Sequence, residues 1–200
     1  PAEMVRDQAL SMAGLLVEKL GGPSVKPYQP EGLWTDLTQQ GQYVQDHGDS
    51  LYRRSLYTFW RRTVIPANMF DASNRQTCRV RLGATSTPLH ALTTLNDPTW
   101  VEAARMLAQD SIKTQPDLNA RLTYAFRRVV GRPVTETDLK LLNRAFDRQA
   151  AIYRASPESA KALLSVGASK RDETVDLTEH AALASVCLAI LNLDEALSRE

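Results

Sequence analysis

Two hundred residues are the length of one domain, and folding at that size buries about 70% of the extended chain's surface, enough for a core without a disulfide or metal staple. Hydrophobic content of 43% beside 24% charged residues excludes a disordered chain. A net charge of +1 excludes a global field that would draw in nucleic acid or an anionic membrane.

The chain opens Pro1-Ala2-Glu3, with no initiator Met and no charged-then-apolar leader, so an excised or processed piece of a longer chain is expected. Val5, Ala9, Met12, Ala13, Leu16 and Leu20 recur at helical spacing and predict a helix over residues 1–20, stopped by Gly21-Gly22. Pro23, Pro27 and Pro30 deny backbone donors and fix φ, which makes the next stretch an extended connector. Glu31 to Ser50 is polar, carries Glu31, Asp36, Asp46 and Asp49 with no Lys or Arg, and reads as surface loop with at most short strand pieces.

The charge then changes sign. Leu51 to Arg81 holds Arg53, Arg54, Arg61, Arg62, Arg75, Arg79 and Arg81 against the single acid Asp71, a local net of +6. Tyr52, Tyr57, Phe59, Trp60 and Phe70 are interleaved with them. A short helix is predicted over about Ser55 to Arg62, ended before Pro66, with irregular loop to Ser86.

From Thr87 onward the punctuation is helical. Thr87-Pro88 and Asp97-Pro98 each place a cap residue before a proline suited to the first helical position. The second opens a helix through Val101, Ala104, Ala108 and Ile112; Pro116-Asp117 opens another through Leu118, Leu122, Ala125, Phe126 and Val129, stopped by Gly131. Thr135-Glu-Thr-Asp138 resembles a capping box, leading into Leu139, Leu142, Phe146 and Tyr153. Ser156-Pro157 starts a shorter helix ending at Gly167, and a last helix spans about Leu177 to Leu191 with room to run on. The nearly apolar run Ala181 to Leu193 is too short to cross ~30 Å of hydrocarbon. The expected class is all-α: a multi-helix orthogonal or bundle-like array in one domain over 1–200, with residues 21–86 largely irregular and 87–200 the helical body.

On a helix, Arg53 and Arg54 would lie two turns from Arg61 and Arg62 and share a face. With Tyr57 and Trp60 these arginines form a candidate anion- or glycan-binding cluster, because guanidinium forks grip carboxylate and sulfate while rings stack on sugars. The favoured alternative is intramolecular: the acids Glu31, Asp36, Asp46 and Asp49 supply the counter-charge and the arginines clamp a loop to the helical body. His47, His90 and His180 fall on three separate elements and each reads as a neutral structural residue. Cys78 and Cys187 carry no metal or haem-attachment spacing; they can pair in an oxidising compartment but read as two buried thiols. Asp97 is accounted for as a helix cap rather than a cation ligand. No catalytic motif and no metal set is expected.

The ordered set Tyr52-Arg-Arg-Ser-Leu-Tyr-Thr-Phe-Trp-Arg-Arg-Thr63, Phe70-Asp71, Cys78, Thr87-Pro-Leu89, Ala91-Leu92 and Leu95-Asn-Asp-Pro98 resembles one known family. It is the C-terminal domain of unknown function of large planctomycete proteins that also carry cytochrome-c-type domains. Gly21-Gly-Pro-Ser24 with Pro27 and Pro30, and Leu191-Asn-Leu-Asp-Glu195, fit the same family across the chain. Two positions depart: His90 stands where the family tends to have Gln, and Ser86 where Asn is usual. The resemblance implies a domain that begins upstream of Pro1 and an exported, extracytoplasmic or periplasmic parent. It places haem elsewhere in that parent and no cofactor in this segment. It implies other domains of the parent as partners and, by association, anionic polysaccharide; no nucleic acid and no membrane span are expected. The reading is a non-catalytic scaffold or docking module. Its alternative is part of a carbohydrate-active or hydrolytic enzyme with Arg53, Arg54, Tyr57, Trp60, Arg61 and Arg62 as a substrate wall. A third reading is a surface that docks the haem domain for electron transfer.

Overall fold

A computed structural model describes residues 2–34, 43–59, 61, 66, 70–71, 80 and 87–197. Its helices are α1 (Ala2–Met12), α2 (Pro88–Asn96), α3 (Pro98–Thr114), α4 (Leu118–Val130), α5 (Glu136–Ala155), α6 (Pro157–Leu164), α7 (Leu177–Leu191) and the short α8 (Asp194–Leu197). Among the described residues there is no β-strand; isolated bridges pair Val17 with Arg53 and Val25 with Thr58. The fold is all-α.

Local chemistry sets the helix ends. The side chains of Thr87, Asp97, Asp117 and Asp176 accept from the backbone N–H groups of His90, Thr99, Ala120 and Glu179, which satisfies donors that a helix start leaves orphaned. Thr135 and Asp138 complete a reciprocal capping box at the start of α5. Gly131, at φ +82°, closes α4 in the left-handed conformation.

Packing follows composition. α7 is apolar almost all round, and His180, Ala181, Ala182, Leu183, Ala184, Val186, Cys187, Ile190 and Leu191 are all buried; a helix of that kind belongs in the middle. It lies against α3, whose Trp100, Ala103, Ala104, Leu107 and Ala108 share one core with it. The alanines on both surfaces leave little side chain between the two backbones. α1, α4, α5 and α6 cover the pair with Ala9, Ala13, Leu122, Phe126, Phe146, Ala150, Ala160 and Leu164. No helix among the described residues is long and apolar enough to cross a membrane.

The N-terminal third corrects two expectations. The helix expected over 1–20 ends at Met12, and Gly14, at φ +71°, turns the chain out of it. Leu16 and Leu20 continue the helical spacing by coincidence: Leu20 is 79% exposed, and Val17 pairs instead with the 52–53 backbone, its N–H donating to Tyr52 O at 3.0 Å. Gly21 and Gly22 therefore shape a turn and stop no helix. The short helix expected over Ser55 to Arg62 is a 3-10 turn, Ser55–Tyr57, preceded by another, Gly48–Tyr52. Beyond it Val25 N–H donates to Tyr57 O at 2.8 Å and Phe59 N–H to Val25 O at 2.7 Å, which holds the chain extended. Among the described residues, Arg53, Arg54 and Arg61 therefore share no helical face.

Candidate functional site

Of the six cluster residues, Trp60 and Arg62 lie outside the described residues. Arg53 faces inward and is only 4% exposed. Its guanidinium donates to the carbonyls of Lys19 (2.9 Å), Pro23 (3.0 Å) and Gly21, and stacks 3.8 Å from the centre of the Tyr57 ring. Tyr57 Oη accepts from Gly21 N–H at 2.8 Å, closing the same loop. Arg54 is half exposed, its Nε 3.5 Å from Asp7 Oδ2. Arg61 is exposed, with its guanidinium 5.4 Å from the centre of the Trp34 ring. Trp34 in turn stacks on Tyr43 and Phe59 at 5.3 and 5.8 Å.

The expected counter-charges take other roles. Asp46 accepts from Lys26 N–H at 2.7 Å, and Arg54 of this cluster meets Asp7, from α1. Asp36 lies outside the described residues. Backbone carbonyls, rather than carboxylates, take the hydrogen bonds of the buried Arg53 guanidinium. A loop without a ladder leaves carbonyls unpaired, and a guanidinium offers five donors in a fork to collect them.

Arg6, which helical spacing alone does not single out, makes the same kind of contact from α1. It is 1% exposed and donates to Leu51 O (3.0 Å), Arg53 O (3.0 Å) and Ser55 Oγ (3.1 Å). Asp7 Oδ1 beside it accepts from Ser55 N–H at 2.7 Å. Burial draws the Arg6 pKa down from its usual value while Asp7 opposes the shift.

The densest polar node centres on Glu102 of α3, a carboxylate that is 0% exposed. Oε2 accepts from Tyr28 Oη at 2.9 Å; Oε1 accepts from Tyr52 Oη at 2.8 Å and from Ser169 N–H at 2.6 Å, and Ser169 Oγ donates to it as well. Arg105, one turn on, lies 3.5 Å from Oε1 and donates to Val166 O at 2.7 Å and to Ser169 O. Burial and then the Glu102 charge hold the Tyr28 phenol well above its ordinary range; burial also raises that of Tyr52. Both phenols are therefore fixed as donors. His180 of α7 sits 2.8 Å from Arg105 O through Nε2, so Nε2 carries the proton; Nδ1 is buried without a partner. Burial lowers its pKa and keeps the ring neutral.

This arrangement binds the chain to itself. Both carboxylate oxygens of Glu102 are occupied, and general acid–base work requires contact with a reacting atom. An open groove of about 520 Å³ lies apart from the node, between α4 and α5, lined by Asn119, Glu136, Leu139, Lys140, Asn143, Arg144 and Asp147. It offers two cations, two anions and an Asn143–Asn119 hydrogen bond of 2.8 Å, with no histidine or thiol. His47 flanks a 3-10 turn, and His90 stacks on Phe70 at 4.2 Å; neither joins His180. Cys187 is a free, buried thiol, whose pKa burial pushes up to about 12, and Cys78 lies outside the described residues. Among the described residues no three His, Cys, Asp or Glu side chains are grouped to hold a metal ion.

A family model described as PSD1, protein of unknown function (DUF1553), matches residues 1–146, from α1 into the middle of α5. No curated protein matches, and no solved structure does.

Proposed function

The chain belongs to the PSD1 family (DUF1553), and from that premise we propose that it is a non-catalytic helical scaffold or docking module. The observation that carries the reading is where the buried ionic groups point: Arg6, Arg53 and Arg105 donate to backbone carbonyls of this chain, and Glu102 accepts from its own tyrosines and Ser169. Groups committed in this way stiffen an irregular segment and turn most of their hydrogen-bonding capacity inward. In the fuller form of the proposal, the parent is an exported, extracytoplasmic planctomycete protein with cytochrome-c-type domains. Haem resides in those domains, and they are the partners docked here.

The competing assignment, part of a carbohydrate-active or hydrolytic enzyme, is favoured by one feature. Arg61 is exposed and Arg54 is half exposed, and guanidinium forks that reach solvent suit an anionic sugar. Thermal shift against sulfated and uronic-acid oligosaccharides separates the two. The module reading expects no change in Tm. A ligand at ~100 times its Kd would stabilise by ~2.7 kcal/mol; such a shift, abolished in Arg54→Ala/Arg61→Ala, would overturn it.

A further inference from the structure

Among the described residues, the continuous apolar core has no member between Ala13 and Trp100, and no partly buried apolar side chain between Leu15 and Met106 packs against it. Residues 16–34 and 43–59 nevertheless lie on the helical body. Their own buried apolar side chains, Val25, Trp34 and Leu51, stand apart from that core. Polar contacts join this segment to the body: Arg6 and Asp7 of α1 grip residues 51–55, and Tyr28 and Tyr52 reach Glu102 of α3. Tyr28 Oη also accepts from Ala168 N–H at 2.7 Å. Within the described residues the amides of Val17, Val25, Asp46 and Phe59 donate across the segment to its own carbonyls.

We propose that this segment is a strap that opens as a unit while the helical body stays folded, with the Tyr28 and Tyr52 hydroxyls on Glu102 as its latch. Regions with few apolar contacts open at lower free energy than the core, and a polar fastening is released by removing its donors. Glu102 Oε1 keeps Ser169 and Arg105 when the two hydroxyls are gone, whereas Oε2 gives up its bond from Tyr28, so the double variant cuts the latch and leaves the rest of the node in place.

Native-state hydrogen exchange on the full chain tests this. In the unmodified protein, the amides of Val17, Val25 and Phe59 should exchange through an opening that leaves Leu107, Leu183 and Ile190 protected. In Tyr28→Phe/Tyr52→Phe, the strap amides should exchange at least tenfold faster and remain the less protected set, and the core amides should accelerate by no more than the same factor, because global unfolding releases the latch as well. Strap and core amides exchanging through one common opening would overturn the proposal, and the unmodified protein alone can show that. Strap exchange indifferent to loss of the hydroxyls, or core acceleration greater than that of the strap, would overturn it too.

Discussion

At residue 167 the backbone runs at φ +91°, and a Cβ there would sit 2.3 Å from Cδ and 2.6 Å from Oε1 of Glu102. Gly14 has a comparable φ of +71° with nothing within 4 Å of the same position. The pair therefore separates conformational strain from collision. Gly14→Ala should lose about 1–2 kcal/mol, the cost of a side chain in the left-handed region. Gly167→Ala should lose that plus the ~1–3 kcal/mol of overpacking against a carboxylate held on several sides. Urea denaturation of both variants checks the difference, and equal losses would remove the Glu102 contact as the cause. From sequence, Gly167 is legible as punctuation after a short helix, but what stands over it is not. Glu102, Arg105 and Gln109 recur at helical spacing, and polar residues so spaced normally face water. Here the cover comes from Tyr28, Tyr52 and Ser169, 50 to 74 residues away, a distance over which local pattern carries no information.

Elements were legible wherever their signals are local. Thr87, Asp97, Asp117 and Thr135 cap within three residues of themselves, so the starts of α2, α3, α4 and α5 can be read directly. The end of α1 and the 55–59 conformation depend on pairing between residues 17–25 and 52–59, which no short window contains. α7 adds a property that its composition alone hides, since its single histidine is wedged against Arg105 O. Burial lowers the His180 pKa from its ordinary 6.5; Arg171 and Arg105 push the same way, while the hydrogen bond to Arg105 O and the charge of Asp172 oppose. The unfolded chain therefore takes up this proton at higher pH than the folded one. The contribution of His180 to stability is complete above pH about 6.5 and is lost as pH falls towards the lowered value, with a slope of up to about 1.4 kcal/mol per pH unit. Chemical denaturation at pH 7.5, 6.5 and 5.5 should show this loss. His180→Gln, which keeps an N–H donor for Arg105 O but does not titrate, should flatten the slope between pH 6.5 and 5.5. An unchanged slope would assign the acid sensitivity elsewhere.

For the whole molecule, the family match and the core have different extents. The matched segment ends at residue 146, inside α5, whereas α7 lies at the centre of the helical array. Trp100, Ala103, Ala104, Leu107 and Ala108 on α3 form one core with α7, as do Phe146 and Ala150 on α5. Without residues 147–200, Ala150 and the second half of α5 would be gone, and the other side chains would lose their principal partner. Polar anchors would go with it: Ser169 on Glu102, Val166 O on Arg105 and Glu179 on Arg121. The latter loss leaves Arg105 and Glu102 buried with fewer partners, a condition costlier than the exposure of apolar surface alone. A chain cut to residues 1–146 should accordingly show helical far-ultraviolet circular dichroism but no cooperative thermal transition, and should bind an apolar dye, the behaviour of a collapsed state without fixed packing. The full chain should melt in one sharp transition under the same conditions. A sharp melt of the 1–146 chain would mean that α3, α4 and the rest of α5 close a core among themselves, and the central place given to α7 would then be wrong.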